Sequence, residues 1–171
     1  MLKVTSSWDD GDVLDLKLAN LLSKYGVKGT FYVTMDYRQY RLSEDDIRTI
    51  AKNHEVGAHT LTHPDLRSIS AVKRHEEIRG SKEWLEDITG QEICMFCYPK
   101  GLHDQAVAVA VKDAGFHGAR TTKLGHIHHP TTPYHLGTTI QVYPFPFRKL
   151  DRNRFYLRKL FEPYFQRAPE L

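Results

Sequence analysis

Two short segments of this 171-residue chain contain the residue types that metal-assisted hydrolysis requires. The sequence SWDDG places Asp9 and Asp10 side by side, and HTLTH, about fifty residues later, places His59 and His63 four positions apart. A hydrolytic Zn²⁺ site uses three protein ligands and keeps one position open for water. The metal lowers the pKa of that water, and a nearby carboxylate can take the proton. Together the two segments supply three ligands and one base.

The spacing of these residues limits how they can share one site. A single helical turn over His59 and His63 would bring both rings to one side, with Cβ atoms roughly 5–6 Å apart. Adjacent residues of a strand point to opposite faces, so only one of Asp9 and Asp10 is expected to bind the metal. The other carboxylate is then free to act as base. Gly11 permits the turn that this arrangement needs at the end of the strand.

Each segment also has a structural interpretation without chemistry. An Asp-Asp-Gly sequence is typical of a solvated turn, and two histidines four positions apart often lie on a surface or at a helix end. The position of the segments favours a site. Each follows an apolar run that is typical of a strand, and sites of strand–helix folds collect at the carboxyl ends of strands.

These segments resemble the first two motifs of the polysaccharide deacetylase family, which is carbohydrate esterase family four or the nodulation-deacetylase homology domain. Residues 29–33 resemble the second strand of the family, and residues 54–59 resemble the run into its histidine motif. Residues 96–101 resemble the third motif, and residues 115–121 resemble the strand that follows it. The resemblance covers roughly residues 3–145.

The resemblance implies a deformed (β/α) barrel and metal-dependent removal of an acetyl group from an N-acetylated sugar. It implies that Asp9 is the catalytic base and that Asp10, His59 and His63 are the metal ligands. It also implies that the backbone N–H of Tyr98 helps to hold the oxyanion. Zinc is the expected metal, with cobalt, nickel and manganese as alternatives.

The chain departs from the family pattern near the base and at the general acid. Many members have an arginine at the position of Cys97, where it holds the base aspartate, and an aromatic residue at the position of Lys100. The family usually closes with a leucine-and-histidine motif whose histidine is the general acid. This chain has no histidine after His135. Either the chain is a truncated or short form, or the acid is missing or comes from elsewhere, so no catalytic acid is assigned.

The segment 123–137 offers further side chains for a substrate groove. Its four histidines are either solvated, a second metal site or a wall of the groove: His126, His128, His129 and His135. Tyr134 and the aromatic stretch 142–147 can stack on sugar rings, or they belong to the core or to a surface that a partner covers. Together with Trp8 and Pro99 of the motif segments, Tyr134 is a candidate for substrate contact.

Composition narrows the possible partners. The chain is 40% hydrophobic and 26% charged, which is ordinary for one globular domain and fits a single catalytic domain over residues 1–171. The net charge of +3 is too small to indicate nucleic-acid binding. The sequence has no apolar run of about 18 residues and no signal-peptide core near residues 1–5. We therefore expect a cytoplasmic protein without membrane or nucleic-acid partners, and a homo-oligomer if the stretch 142–147 is exposed.

Strand and helix signals alternate along the chain, which predicts a parallel α/β fold. The predicted strands are 2–8, 28–35, 55–58, 93–97, 117–120 and 139–143, and the predicted helices are 12–25, 44–52, 71–88, 105–114 and 152–165. A complete (β/α)₈ barrel usually needs about 250 residues, so we expect an incomplete barrel of about six or seven parallel strands. Four leucines are expected on the inner face of the first helix: Leu14, Leu18, Leu21 and Leu22.

Further side chains are expected at defined positions of the later helices. Residues 43–46 are typical of a capping box that opens the helix 44–52, and Asp104 is expected to cap the helix 105–114. Three side chains are expected to face inward on the helix 71–88: Ile78, Leu85 and Ile88.

Cys94 and Cys97 form a Cys-x-x-Cys sequence, which in redox proteins usually opens a helix. Here the pair falls in the predicted strand 93–97, where residues three apart face opposite sides. We therefore expect two buried thiols and no redox pair.

Three functions remain open at this point. The first is a deacetylase of N-acetylated sugars, and the second is a small-molecule amide hydrolase with the same chemistry. The third is a catalytically weak sugar-binding domain that keeps the metal site and lacks the general acid. An open cleft would suit a polymer, and a closed pocket would suit a small N-acylated molecule.

Overall fold

The computed structural model describes residues 5–124 and 132–139. Within these residues, six strands form one parallel sheet in which the spatial order of the strands follows their order in the chain. The strands are β1 (Ser7–Asp10), β2 (Thr30–Val33), β3 (Glu55–Ala58), β4 (Met95–Cys97), β5 (Gly118–Leu124) and β6 (Leu136–Thr138). Each new strand adds to the same edge, and the sheet forms an open half-barrel. The predicted incomplete (β/α) barrel is confirmed.

Four α-helices in the described part of the chain connect consecutive strands: α1 (Leu14–Lys24), α2 (Glu44–Ala51), α3 (Ala71–Thr89) and α4 (Gln105–Asp113). The capping box predicted at the start of α2 is confirmed, because the Ser43 side chain accepts from the backbone of Asp46 and the Asp46 carboxylate accepts from the backbone of Ser43. Asp104 caps α4 as predicted. Short 3₁₀ turns lie at Pro99–Gly101 and Pro133–His135.

The strand register decides which side chains face the barrel interior. Asp9, Tyr32 and Gly57 are neighbours across β1, β2 and β3, and Cys97 pairs with Arg120 across β4 and β5. Side chains alternate along a strand, so the residues next to these five face the helices. Four of those helix-facing residues are completely buried: Phe31, Ala58, Phe96 and Ala119.

The helical layer packs mainly as the sequence predicts, except at α1. The predicted inward side chains of α3 are buried: Ile78, Leu85 and Ile88. In α1, however, Leu14 is 67% exposed and Leu21 is 51% exposed, so the predicted four-leucine face is wrong for half of its members. The helix turns the small side chain of Ala19 and the carboxyl of Asp15 toward the sheet instead.

Two predicted features near the end of the described residues need correction. The last described strand, β6, ends at Thr138, just before the predicted start at residue 139. Cys97 is buried as predicted, whereas Cys94 precedes β4 and is only half-buried. The rest of the predicted strand to residue 143, the predicted helix 152–165, the stretch 142–147 and three loop histidines lie outside the described residues: His126, His128 and His129. No helix of the described part is long and apolar enough to cross a membrane.

Asp15 should make the free energy of unfolding depend on pH. Burial and the neighbouring charge of Asp12 raise the pKa of Asp15 from 3.8 to about 7. Its Oδ2 atom is buried without a hydrogen-bond partner among the described residues. Between about pH 4 and pH 7 unfolding therefore releases a proton from Asp15, and the free energy of unfolding falls as pH rises. Asp15→Asn should remove this loss and be more stable than wild type at pH 8 by about 1–2 kcal/mol, after allowance for solvent screening.

Urea unfolding of both proteins at pH 4 and pH 8, in the presence of a chelator, tests this expectation. Asp87→Asn is the control, because Asp87 is an exposed carboxylate on α3. The control should follow wild type at both pH values. An Asp15→Asn variant with the same pH dependence as wild type would contradict the role of Asp15.

Candidate functional site

Asp10, His59 and His63 come together at the carboxyl ends of β1 and β3. The Nε2 atom of His59 lies 3.4 Å from Oδ1 of Asp10, and the Nε2 atom of His63 lies 3.5 Å from the same oxygen. The two rings meet edge to face, with centroids 4.8 Å apart, and both side chains are buried. One donor atom from each of the three residues lies within 4.8 Å of the others. Two imidazole nitrogens and one carboxylate oxygen are donors typical of a zinc site with an open position.

The backbone of Asp10 explains how this carboxylate reaches the histidines. Asp10 ends β1 with a φ of +82°, and Gly11 follows with a φ of +71°. The turn expected at Gly11 therefore begins one residue earlier, at a residue type for which the left-handed region is uncommon. The hydroxyl of Thr34 donates to the backbone carbonyl of Asp10 at 2.9 Å. Arg38 binds Oδ2 of Asp10, and this leaves Oδ1 to face the two histidines.

The two histidines lie on an irregular loop, and the predicted helical turn between them is wrong. Thr60 and His63 have φ values of +68° and +59°, which no helical turn contains. The buried carboxylate of Glu77, on α3, holds the loop in this conformation. It accepts from the backbone N–H groups of Leu61 and Thr62 at 2.9 Å each, and from the Thr62 hydroxyl at 2.7 Å. Strained backbone of this kind persists where its surroundings fix it and is common at functional sites.

Opposing influences set the protonation of the two rings. Nδ1 of His59 lies 2.7 Å from the carbonyl oxygen of Cys97, so a proton on Nδ1 donates there and Nε2 faces Asp10. Burial lowers the pKa of His59, but Cys97 and the hydrogen bond with Asp10 outweigh burial and raise it to about 10. Burial and the charge of His59 lower the pKa of His63 to about 4. A neutral His63 has a lone pair to offer a metal ion.

Asp9 faces Arg120 and is not part of the three-residue cluster. The Nη2 atom of Arg120 contacts both carboxylate oxygens of Asp9 and lies 3.5 Å from Sγ of Cys97. The other terminal nitrogen, Nη1, donates to the hydroxyl of Thr138 at 3.1 Å. The structure thus gives the two adjacent carboxylates, Asp9 and Asp10, different partners.

Two residues expected to contact the substrate have other partners in the structure. The backbone N–H of Tyr98 donates to the carbonyl oxygen of Arg120 at 3.1 Å. An N–H carries one proton, so this sheet hydrogen bond speaks against the expected oxyanion role of Tyr98. Trp8 stacks on Phe31, with ring centroids 5.2 Å apart, and packs against the core. It lies on the face of β1 opposite to Asp9, which speaks against a sugar contact through Trp8.

The other two candidates for substrate contact, Pro99 and Tyr134, lie on the 3₁₀ turns. Pro99 is buried at the start of its turn. The hydroxyl of Tyr134 donates to the carbonyl oxygen of Phe116 at 2.9 Å, and Tyr134 accepts from the Tyr98 hydroxyl through its own carbonyl at 3.1 Å. Tyr134 is half-buried. These bonds fix the position of Tyr134 beside β5 and leave part of its ring accessible.

Sequence reasoning missed two charged residues that organise the site, Glu77 and Arg120. Glu77 precedes the inward-facing Ile78 on α3, and Arg120 ends the predicted strand 117–120. Charged side chains are almost never fully buried unless they are paired. A carboxylate or guanidinium at a predicted core position is therefore a signal that could have identified both residues as part of a polar network.

Comparison with known proteins finds a family match over more than half of the chain. The sequence matches the family model described as polysaccharide deacetylase over residues 3–119. A chitooligosaccharide deacetylase from Bradyrhizobium sp. (strain ANU 289) is 36% identical over 119 residues, which cover 64% of this chain and 51% of the relative. A polysaccharide deacetylase structure from Bacillus cereus is 27% identical, with a TM-score of 0.70 over 80% of this chain and 46% of that one.

A deacetylase from Streptococcus pyogenes, solved in complex with acetate, is similar in fold. Its TM-score is 0.76 at 19% identity, over 90% of this chain and 69% of that one. The chain spans between 28% and 51% of the length of the curated relatives it matches.

Proposed function

The chain belongs to the polysaccharide deacetylase family, and from this premise we propose that it is a metal-dependent hydrolase that removes the acetyl group from an N-acetylated sugar. The observation that carries the proposal is the convergence of Asp10, His59 and His63 at one end of the half-barrel, next to the separately held carboxylate of Asp9. The similarity to a chitooligosaccharide deacetylase supports a carbohydrate substrate.

The donor set fits a divalent metal ion. Asp10, His59 and His63 would hold it, since both Nε2 atoms already face Oδ1 of Asp10. When bound, such an ion supplies Lewis acidity that polarises the acetamide carbonyl and acidifies water. Two imidazoles and one carboxylate suit zinc, and the same ligands also accept cobalt, nickel or manganese.

The protein's own residues then have separate tasks in the hydrolysis of the acetamide. Asp9 takes a proton from the water that attacks the carbonyl carbon, and a tetrahedral species forms. Its C–N bond breaks, the sugar nitrogen gains a proton and leaves as an amine, and acetate remains. Arg120 holds Asp9 during these steps, while Arg38 binds the outer oxygen of Asp10.

The described residues form one sheet with one helical layer, which supports the proposal of a single catalytic domain. Substrate contact is proposed for the accessible part of Tyr134, in the 3₁₀ turn before β6, and for Pro99, in the 3₁₀ turn after β4. Trp8 and the backbone N–H of Tyr98 are left out of the proposed substrate site because they have partners in the core and in the sheet.

Acetate release tests the proposed function. The purified chain is stripped of metal, reloaded with zinc, cobalt, nickel or manganese in turn, and incubated with N-acetylglucosamine oligomers or with a simple N-acetylated amine. We expect acetate release from the oligomers that depends on metal and stops when a chelator is added. Metal content is measured on the same samples.

Three results would contradict the proposal in different ways. Turnover of the simple amide alone would favour a small-molecule amide hydrolase of the same chemistry. Metal binding without acetate release from either substrate would favour a sugar-binding domain that lacks a general acid. A chain that binds none of the four metals would contradict the metal site itself.

Glu77→Gln should weaken metal binding because Glu77 shapes the loop that carries both histidines. The amide oxygen of glutamine can accept from both N–H groups in the place of Oε2. Its NH₂ group, however, replaces the Oε1 atom that accepts from the Thr62 hydroxyl, and the negative charge is lost, so the loop loses part of its support. Loss of an outer partner of this kind typically costs about 10–100-fold in metal affinity. We expect that loss in a chelator-competition titration with zinc.

The neighbouring Glu76→Gln variant is the matched control for this titration. Glu76 lies on the same helix but is exposed and pairs with Lys73 at 3.2 Å, so its metal affinity should equal that of wild type. Equal zinc affinity for Glu77→Gln and wild type would show that the histidine loop keeps its conformation without the buried carboxylate.

A further inference from the structure

The half-buried ion pair between Asp9 and Arg120 points to a role for Arg120 in the reaction. We propose that Arg120 is the positioning residue that fixes the orientation of the Asp9 carboxylate, and that its guanidinium occupies space left free by the short side chain of Cys97. The inference rests on the proposed function, because a positioned base needs a reaction to serve.

The contacts of the guanidinium fix it at both terminal nitrogens. Nη2 contacts the two oxygens of Asp9, and Nη1 donates to the Thr138 hydroxyl on β6 at 3.1 Å. That hydroxyl in turn donates to the carbonyl oxygen of Thr121 at 3.0 Å. The Arg120 side chain is 14% exposed and that of Asp9 is 30% exposed. The base therefore remains open to solvent on one side, while the arginine behind it is enclosed.

The guanidinium of Arg120 lies over an aromatic ring. The Cζ atom of Arg120 lies 5.3 Å from the ring centroid of Tyr32, within the range of a cation–π contact. The Tyr32 ring fits at this position because residue 57 is glycine. A Cβ atom at residue 57 would lie 2.5 Å from Cδ1 of Tyr32. Gly57, Tyr32 and Arg120 thus form a stack inside the half-barrel that ends at Asp9.

The short side chain of Cys97 explains how the Arg120 guanidinium can reach Asp9 from β5. Cys97 and Arg120 are paired across β4 and β5, and Sγ of Cys97 lies 3.5 Å from Nη2 of Arg120. A long side chain at position 97 would compete for the place of the guanidinium. Conversely, an arginine at position 97 beside a small residue at position 120 has the same space available. The register therefore predicts that the guanidinium can be moved from β5 to β4 and still restore most of the activity.

A strand-exchange experiment tests the inference. Steady-state kinetics of acetate release and metal content are measured for wild type, Arg120→Ala, Arg120→Lys, and the double variant Cys97→Arg with Arg120→Ala. Arg48→Ala is the matched control, because the Arg48 guanidinium is also ion-paired and also makes a further hydrogen bond, to the carbonyl of Ile88, but lies on the helical layer. Circular dichroism and thermal unfolding show which variants fold.

We expect Arg120→Ala to keep its metal and to lose about 10²-fold in kcat, since a misplacement of about 1 Å costs that much. KM should change by less than about threefold, because an interaction that acts only in the transition state is lost. Arg120→Lys should also be slow, since an ammonium group cannot replace the planar fork of arginine. The double variant should recover kcat to within about tenfold of wild type, and Arg48→Ala should equal wild type.

Other results separate this inference from the proposed function. A folded Arg120→Ala variant with wild-type kcat would overturn the positioning role while the deacetylase proposal stands. A folded double variant as slow as Arg120→Ala would also overturn it. If Arg120→Ala does not fold, the double variant alone tests the proposal. Activity in the folded double variant supports the positioning role, and a folded but inactive double variant overturns it. An inactive wild type would overturn the proposed function and this inference with it.

Discussion

Asp9→Asn is expected to lower kcat for deacetylation about 10²–10⁴-fold, the usual contribution of a positioned base, and to leave metal binding unchanged. The amide has the shape of the carboxylate but cannot accept a proton from water. Metal binding should persist because Asp9 faces Arg120, whereas the proposed ligand atoms come from Asp10, His59 and His63.

Metal content and acetate release must be measured on the same sample of Asp9→Asn. Asp10→Asn is the natural comparison, since it makes the same chemical change in the adjacent carboxylate. It should lose metal and activity together, because Oδ1 of Asp10 faces both histidine Nε2 atoms. If Asp9→Asn loses its metal as well, Asp9 is itself a ligand and the division of work between the two carboxylates is wrong.

The strands and helix starts near the site could be predicted from the sequence, because they depend on short-range patterns of residues. Predicted strand 55–58 coincides with β3, and the Ser43 capping box and the Asp104 cap lie where their side chains indicate. Each of these features depends on residues close together in sequence. The alternation of strands and helices then suffices to predict a parallel sheet with its functional residues at one edge.

What the sequence could not predict depends on contacts between distant segments. The loop of His59 and His63 is irregular because Glu77, from the next helix, satisfies its backbone N–H groups, and helical spacing contains no information on that partner. The partner of Asp9 comes from Arg120, 111 positions further along the chain. The rotation of α1 about its axis, which exposes Leu14, is likewise decided by packing against the sheet.

The same distant contacts change how the departure at Cys97 is interpreted. Taken alone, a cysteine at a position where relatives often have arginine suggests that the base has lost its partner. The structure gives Asp9 a guanidinium from β5, the strand next to that of Cys97, so the position of the arginine differs while a contact with Asp9 is kept. A motif comparison residue by residue cannot detect such a change, because the two positions are neighbours only in the sheet.

His59→Ala is expected to lower metal affinity strongly, because it removes one of the three proposed ligands. Loss of a residue that only supports a ligand typically costs about 10–100-fold in metal affinity, and the loss in His59→Ala should be larger. Activity should fall with metal occupancy. The ring is held for this task by the contact of Nδ1 with the Cys97 carbonyl at 2.7 Å, which directs Nε2 toward Asp10. Zinc affinity by chelator competition is the measurement, with thermal unfolding in parallel.

The titration should be made in a Cys94→Ser background. Glu92, Cys94 and His117 place three possible donor atoms near one another on the surface. Cys94 and His117 directly precede β4 and β5, so this group lies at the opposite end of the strands from His59. Removing the thiol limits zinc uptake there, and the remaining binding then reports on the candidate site.

His54→Ala separates the loss of a ligand from the loss of a buried ring. His54 is 7% exposed, and its ring bonds to the Ser23 hydroxyl, the carbonyl of Ala19 and the backbone N–H of Gly29. Both variants therefore remove a buried imidazole with polar contacts at both ring nitrogens. Both should be less stable than wild type, but only His59→Ala should lose metal. Equal zinc affinity in wild type and His59→Ala would remove His59 from the ligand set. A similar loss in both variants would mean that zinc affinity follows the stability of the fold.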